Sequence, residues 1–279
     1  MNGFLNHLAT TLRLILRNRQ ALIFSYIFPM VFLVMFAMLP QSDRFSLRLT
    51  LGQLLTMTML GASLFGLPIS FVVERERGLW RRYRLAPLAP GWFVASALLS
   101  RFVILVTSAL LQIAVAVTVF HMSIPNQPVE LLIAFTFSAF AYMGIGLIIA
   151  MLADSAASVQ AMSQSLFLPM MFLGVAFPLW FLPPAAQVAA LFFPSRYSTE
   201  LMRGCITGLN GLESTEAIYS LVALALMGGT ACLVAAKLFR WETNQPQRPR
   251  AIAWLAVVLG LWLVIGLGAR QLGFVQVKP

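Results

Sequence analysis

The sequence predicts an all-α integral membrane protein, and three observations carry that prediction. Only 10% of the 279 residues are charged while 60% are hydrophobic, whereas a soluble globule has roughly a quarter of its residues charged. Mean hydropathy is +0.86. Apolar runs of the length a bilayer core demands, about 18 residues or more, recur at about 21–40, 51–73, 93–120, 129–152, 159–182, 217–239 and 252–269. Seven crossings result if every run spans.

The elements can be justified in chain order. Residues 1–20 hold Phe4, Leu5, Leu8, Leu12, Ile15 and Leu16 at three-to-four spacing, with Arg13, Arg17 and Arg19 on the polar side. This is an amphipathic interfacial helix. The first long apolar run lacks a small-residue cleavage site and is too continuous for a signal-peptide core, so it is expected to remain as a span. Residues 21–242 then form the transmembrane domain. The tail, 243–279, carries the uncharged run 252–269, long enough for an additional C-terminal span.

Short cytoplasmic loops retain Lys and Arg, and the densest basic cluster comes after the second run. "VVERERGLWRRYRLAPLAPG" places Glu74, Arg75, Glu76, Arg77, Arg81, Arg82 and Arg84 within eleven positions. With the N-terminus inside, this cluster and Arg13, Arg17, Arg19, Lys237, Arg240, Arg248 and Arg250 are cytoplasmic. The outer segments keep Arg44, Arg48, Arg196, Arg203, Arg270 and Lys278. Gly78 permits a sharp redirection, Leu79–Leu85 forms a short helix bearing Trp80 and Tyr83, and Pro87 and Pro90 end it. The net charge of +10 therefore flanks hydrocarbon, where it meets anionic lipid or a cytoplasmic partner rather than nucleic acid.

Several chemistries are disfavoured. No G-x-x-x-x-G-K-[ST] occurs, and neither Lys237 nor Lys278 comes after a glycine, so the chain has no phosphate-cradling loop of its own. His7 and His121 stand apart without carboxylate clusters, and Cys205 and Cys232 form no metal motif. No catalytic constellation and no metal site is expected. Glu130 and Asp154 fall at span ends, which leaves an ion- or proton-coupled carrier without an intramembrane carboxylate. Arg101, near the entrance of the third run, is expected to extend to the headgroups.

A possible translocation path is offered by Gln53, Thr56, Thr58 and Ser63 of the second run and Gln160, Ser163, Gln164 and Ser165 of the fifth. Facing each other across a dimer axis they would line an apolar path with hydroxyls and amides; small polar residues equally serve helix packing. Gly61, Gly66, Pro68, Pro169, Gly174 and Pro178 mark kinks. Short outer loops favour a small amphipathic or lipid-like solute.

"FVVERERGLWRRYRLAPLAPGWFVASALLSR" resembles the E-R-E-x-G-x-x-x-R-x-x-x-x-P element after the second span of ABC-2-type transporter permeases. "LFLPMMFLGVAFPLWFLPPAAQVAALFFPSRYSTELMRG", residues 166–204, is similar to the fifth span, outer re-entrant hairpin and P-x-x-Y element of the same family, and Phe28-Pro29 in the first run also fits. The resemblance covers residues 1–242 and implies a six-span core. It also implies that about 74–86 is a coupling helix contacting an ATPase through Glu74, Arg75, Glu76, Arg77, Gly78, Trp80, Arg81, Arg82, Tyr83, Arg84 and Pro87. An outer gate hairpin at about 183–204 would use Pro183, Pro184, Pro194, Arg196 and Tyr197, with Ser195 or Ser198 as N-cap.

The resemblance further implies the permease subunit of an ABC exporter in the bacterial plasma (inner) membrane. It would move a drug, antibiotic or lipid, with a second permease copy, identical or related, and a cytoplasmic P-loop ATPase as partners. This chain would bind no cofactor, and ATP and Mg would sit on the ATPase. The alternatives are an ion- or proton-coupled secondary carrier and a non-transporting membrane assembly factor. The C-terminal run departs from the six-span pattern.

Overall fold

The computed structural model describes residues 2–17, 22–38, 46–80, 90–209, 212–239 and 250–273, and all regular structure among them is helical. Helix α1 (Asn2–Arg17) packs along α4. Helix α2 (Phe28–Ala37) is entered through a π-helical turn, Ile23–Ile27. Next come α3 (Leu47–Glu76), α4 (Pro90–Thr118), α5 (Pro128–Leu152) and α6 (Ala156–Ala176). A 3-10 turn (Leu179–Phe181) leads into two shorter helices, α7 (Pro184–Ala190) and α8 (Pro194–Thr207). Helices α9 (Thr215–Leu238) and α10 (Arg250–Gln271) complete the chain.

Six of these, α3, α4, α5, α6, α9 and α10, are long and apolar enough to cross a membrane. The first predicted crossing appears as a shorter apolar helix, Ser25–Ala37, because residues 18–21 and 39–45 lie outside the described set. The second span is longer than its apolar run implied. Ser46 caps its start by accepting from the Leu49 N–H at 3.4 Å, and its last turn extends through the charged residues to Glu76.

Three π-helical turns share one sequence context. Ile23–Ile27, Ala62–Gly66 and Met171–Ala176 each end two residues before a proline: Pro29, Pro68 and Pro178. Proline cannot donate to the carbonyl four residues back and its ring crowds that carbonyl, so the turn widens. In hydrocarbon the freed carbonyl needs another donor. Ser108 of α4 supplies it to the Ser25 carbonyl at 2.6 Å, and Ser163 of α6 donates to the Leu64 carbonyl. Two of the kinks are thus locked by serines of neighbouring helices.

Helix α5 is the buried centre. Its seam with α9 is set by glycines: a Cβ added at Gly228 would stand 2.9 Å from Ala141 Cα, and one at Gly144 would stand 2.9 Å from the Gly228 carbonyl oxygen. Backbones that approach this closely gain dispersion contacts that lipid cannot supply.

The fifth span ends earlier than predicted. The apolar run was expected to carry it to 182, but α6 stops at Ala176 and Phe177 is already extended at φ −117° and ψ 137°. Pro178 is the cause, since the residue before a proline is pushed out of the helical region. The chain then folds back through α7 and α8 into the bundle, with α8 packed on α3, α5 and α9. Neither Ser195 nor Ser198 is the N-cap of α8. Phe193 occupies that position without a side-chain bond, since Pro194 at the first helical position already removes one orphan donor.

Helix α10 lies against α9, where the Tyr219 hydroxyl donates to the Ile265 carbonyl at 2.5 Å. The ring of Phe192, from the α7–α8 turn, sits over Gly266.

Candidate functional site

Two regions stand out: the end of the bundle where α3 finishes in charge, and an open face along α6.

Helix α3 ends at Glu76, Arg77 is its C-cap, and Gly78 turns the chain at φ +70°, a left-handed conformation that favours glycine. The charged residues then divide by direction. Glu76 and Arg77 are exposed. Arg75 is 4% exposed and donates to the Ala150 carbonyl at 3.2 Å and to the Ala153 carbonyl. These oxygens end α5, where unpaired carbonyls and the negative end of the helix dipole favour a cation. Trp80 is fully buried. Its ring stacks on Phe239 at 5.4 Å, meets Phe71 and Phe93 edge-on at 5.6 and 5.5 Å, and lies 5.7 Å beneath the Arg75 guanidinium.

The stretch is therefore clamped to the bundle by Arg75 and Trp80, which were expected to face a partner. Glu76 and Arg77 remain accessible. Arg81, Arg82, Tyr83, Arg84 and Pro87 lie outside the described residues.

Arg101 behaves differently from the expectation that it reaches the headgroups. Its guanidinium donates to the Gly66 carbonyl at 3.0 Å, at the end of the α3 π-turn. The Glu74 carboxylate acts on it as a counter-charge. Beside it is a cavity of about 10 Å³, room for one water, lined by residues that include Ser25, Ser63 and Met143. Arg101 thus braces α4 against the kink in the middle of α3. Sequence reasoning missed this because the acceptor is a backbone carbonyl on another helix.

The eight residues proposed for a path separate into two groups. Thr56 and Thr58 are buried and donate back to their own helix, to the Gly52 and Leu54 carbonyls at 2.9 Å each. Ser163 serves Leu64, and Ser63 is buried at the Arg101 cavity. These four belong to the packed interior. Gln160, Gln164 and Ser165 are exposed, on one stripe of α6 with Ala161, Leu168 and Phe172. Gln53 is half-buried, and with Met57 and Gly61 it lies on the four-residue row of α3. A Cβ at Gly61 would meet nothing within 4 Å. Helix α6 is long and apolar enough to cross a membrane, yet this face presents amides that have no hydrogen-bond partner among the described residues.

The hairpin beyond α6 is held by polar contacts. Tyr197 donates to the Leu191 carbonyl at 2.6 Å, closing the α7–α8 turn, and Ser198 meets the Tyr142 hydroxyl at 2.5 Å. Arg196 pairs with Glu200 at 2.5 Å one turn on. Burial lowers the Arg196 pKa from the usual guanidinium range, and Glu200 opposes that shift. Arg48 at the start of α3 donates to Asn126 at 2.6 Å and to the Ile206 carbonyl at 3.2 Å, which ties the C-terminal end of α8 to the loop before α5. Pro183, Pro184 and Pro194 sit at helix starts. Among the described residues no group of histidines, cysteines and carboxylates could hold a metal ion.

A family model described as "ABC-2 type transporter" matches residues 4–207, from α1 to the end of α8. A search of curated proteins finds no match.

Proposed function

Because the chain belongs to the ABC-2 type transporter family, and so is a multi-pass membrane permease subunit, we propose that it exports a small amphipathic or lipid-like solute. A separate cytoplasmic P-loop ATPase, carrying ATP and Mg, would drive it, and a second permease copy would complete the path. The observation that supports this best is the α6 stripe. Gln160, Gln164 and Ser165 are exposed on a helix apolar enough to span, and unpaired amides are costly against lipid. A second permease facing this stripe and the Gln53–Met57–Gly61 row would enclose a neutral path.

In this reading the ATPase meets Glu76, Arg77 and the basic residues beyond Trp80. Motion there reaches α5 through Arg75, and the α3 kink is braced by Arg101 of α4. The hairpin of α7 and α8 closes the path from outside. The clustering of Lys and Arg at the α3 end supports a cytoplasmic N-terminus in a bacterial inner membrane, and α10 adds a crossing beyond the six-span core.

The test is co-isolation with a P-loop ATPase in membranes, together with solute-stimulated ATP hydrolysis. Glu76→Lys reverses an exposed charge without touching the clamp. It is expected to insert and fold normally but to weaken ATPase association more than tenfold, as loss of a close charge pair does. Gly78→Val, strained at φ +70°, should uncouple hydrolysis from export. Normal export in both variants would reduce the stretch to a membrane anchor.

A further inference from the structure

Each of the three π-turns has a serine from another helix against it, but only two of those serines are bonded. Ser108 donates to the Ser25 carbonyl in the first turn and Ser163 to the Leu64 carbonyl in the second. At the third, Met171–Ala176, the neighbour is Ser195 of α8. A Cβ added at Gly174 would collide with the Ser195 hydroxyl and would stand 2.9 Å from the Arg196 nitrogen. Yet that hydroxyl has no hydrogen-bond partner among the described residues, and Ser195 is fully buried. A buried donor left unpaired loses its bonds to water and gains none in return. Capping does not account for it, because Phe193 holds the N-cap position of α8.

The turn beside Ser195 offers acceptors. Pro178 has no N–H, so the carbonyls four and five residues before it, at Gly174 and Leu173, receive no donor from that position. The two sides of the contact are unequally held. Helix α8 is fixed to α5 where Ser198 meets Tyr142 at 2.5 Å, and at its far end the Asn126 and Gln127 amides donate to the Ile206 and Cys205 carbonyls at 3.3 and 3.1 Å. Helix α6 has only 28% of its spanning window buried and breaks into extended backbone directly after the turn. The side free to move is the α6 turn, against a serine that stays in place.

We propose that the Met171–Ala176 turn is a two-state hinge and that Ser195 is its lock. The hydroxyl is unpaired in the described state and donates to the Leu173 or Gly174 carbonyl in the other. This deepens the exporter reading, in which α6 lines the path and the hairpin closes it, by locating the joint between the two. A π-turn carries an extra residue, so resettling it redirects the backbone beyond it. The first two kinks, already bonded to their serines, stay rigid while the third changes.

The test uses the full chain alone in lipid nanodiscs, with 4-trifluoromethylphenylalanine in place of Phe172, which lies inside the turn and is 51% exposed. Its fluorine spectrum is expected to show two exchanging resonances. Ser195→Ala keeps the packing against Gly174 and removes only the donor. The minor resonance should fall about fivefold, the worth of one hydrogen bond. Ser163→Ala, which unlocks the α3 kink instead, should leave the ratio of the two resonances unchanged. Thermal melting separates the lock from a packing role: Ser195→Ala should raise the melting temperature, because it removes an unpaired donor from the described state, whereas Ser163→Ala should lower it. A single resonance in the otherwise unaltered chain, an unchanged ratio in Ser195→Ala, or a lowered melting temperature in that variant would each overturn the hinge. None of these outcomes involves the solute or the ATPase, so they leave the exporter reading standing. Failure of the unaltered chain to co-isolate with a P-loop ATPase would sink that reading, and two resonances that respond to Ser195→Ala would still establish the hinge.

Discussion

Helices α5 and α6 are consecutive and both apolar enough to span, yet 72% of the spanning window of α5 is buried in the chain against 28% of that of α6. Helix α5 has small residues where neighbours cross it, and its polar groups are satisfied internally: Ser138 bonds back to the Ala134 carbonyl at 2.7 Å and Tyr142 meets Ser198. Helix α6 uses one serine to lock a kink in α3 and turns its amides outward. In the proposed reading the contrast separates scaffold from working surface. Where polar side chains in a membrane helix are paired, the helix is architecture; where they face out unpaired, another molecule must meet them.

The sharpest way to break the contrast is to add volume to each helix. Gly228→Val drives a side chain into the α5 backbone at Ala141, which cannot yield as a flexible side chain would. The expected destabilisation is about 3 kcal/mol or more, seen as loss of monodisperse protein in detergent. Ala161→Val adds similar volume on the exposed α6 stripe and is expected to leave the melting temperature within a degree or two. A large loss there would show that α6 packs inside the chain.

A smaller effect is expected from the charged stretch, which repeats the contrast within three residues. Arg75→Met retains most of the stem but removes the donors that cap α5, and should cost about 2–3 kcal/mol, the range for hydrogen bonds to a charged group. Arg77→Met, on the exposed side of the same turn, should cost nothing measurable in thermal stability. Equal losses would mean that burial does not divide this stretch into clamp and contact surface.

The division was only half legible in the sequence. The spans and the redirection at Gly78 come from local rules, because each depends on residues within a few positions. The kinks too could be anticipated, since a proline always frees the carbonyl four residues back. Which serine answers that carbonyl depends on how helices dock, so Ser163 looked the same as Gln164 until α6 was placed against α3. Arg75 and Trp80 were misdirected for the same reason. Their spacing announces charge and aromaticity, whereas their targets, the α5 terminus and Phe239, come from distant parts of the chain.

Ser163 and Gln164 provide the finest test, because they are adjacent in sequence and opposite in role. Ser163→Ala leaves the Leu64 carbonyl without its donor beside Pro68 and should cost about 1 kcal/mol, the net worth of one hydrogen bond; solute handling should change little. Gln164→Leu removes an exposed amide that has no partner among the described residues. If that face met only lipid, the change would stabilise the protein and alter nothing else. If it lines a path, stability should hold while solute-stimulated ATP hydrolysis falls severalfold in the co-isolated complex, because a polar contact along the route is lost. Thermal melting and stimulated hydrolysis measured on both variants should therefore cross over. Serine would be the stability variant and glutamine the transport variant. Parallel behaviour of the two would remove the basis for treating α6 as a working surface.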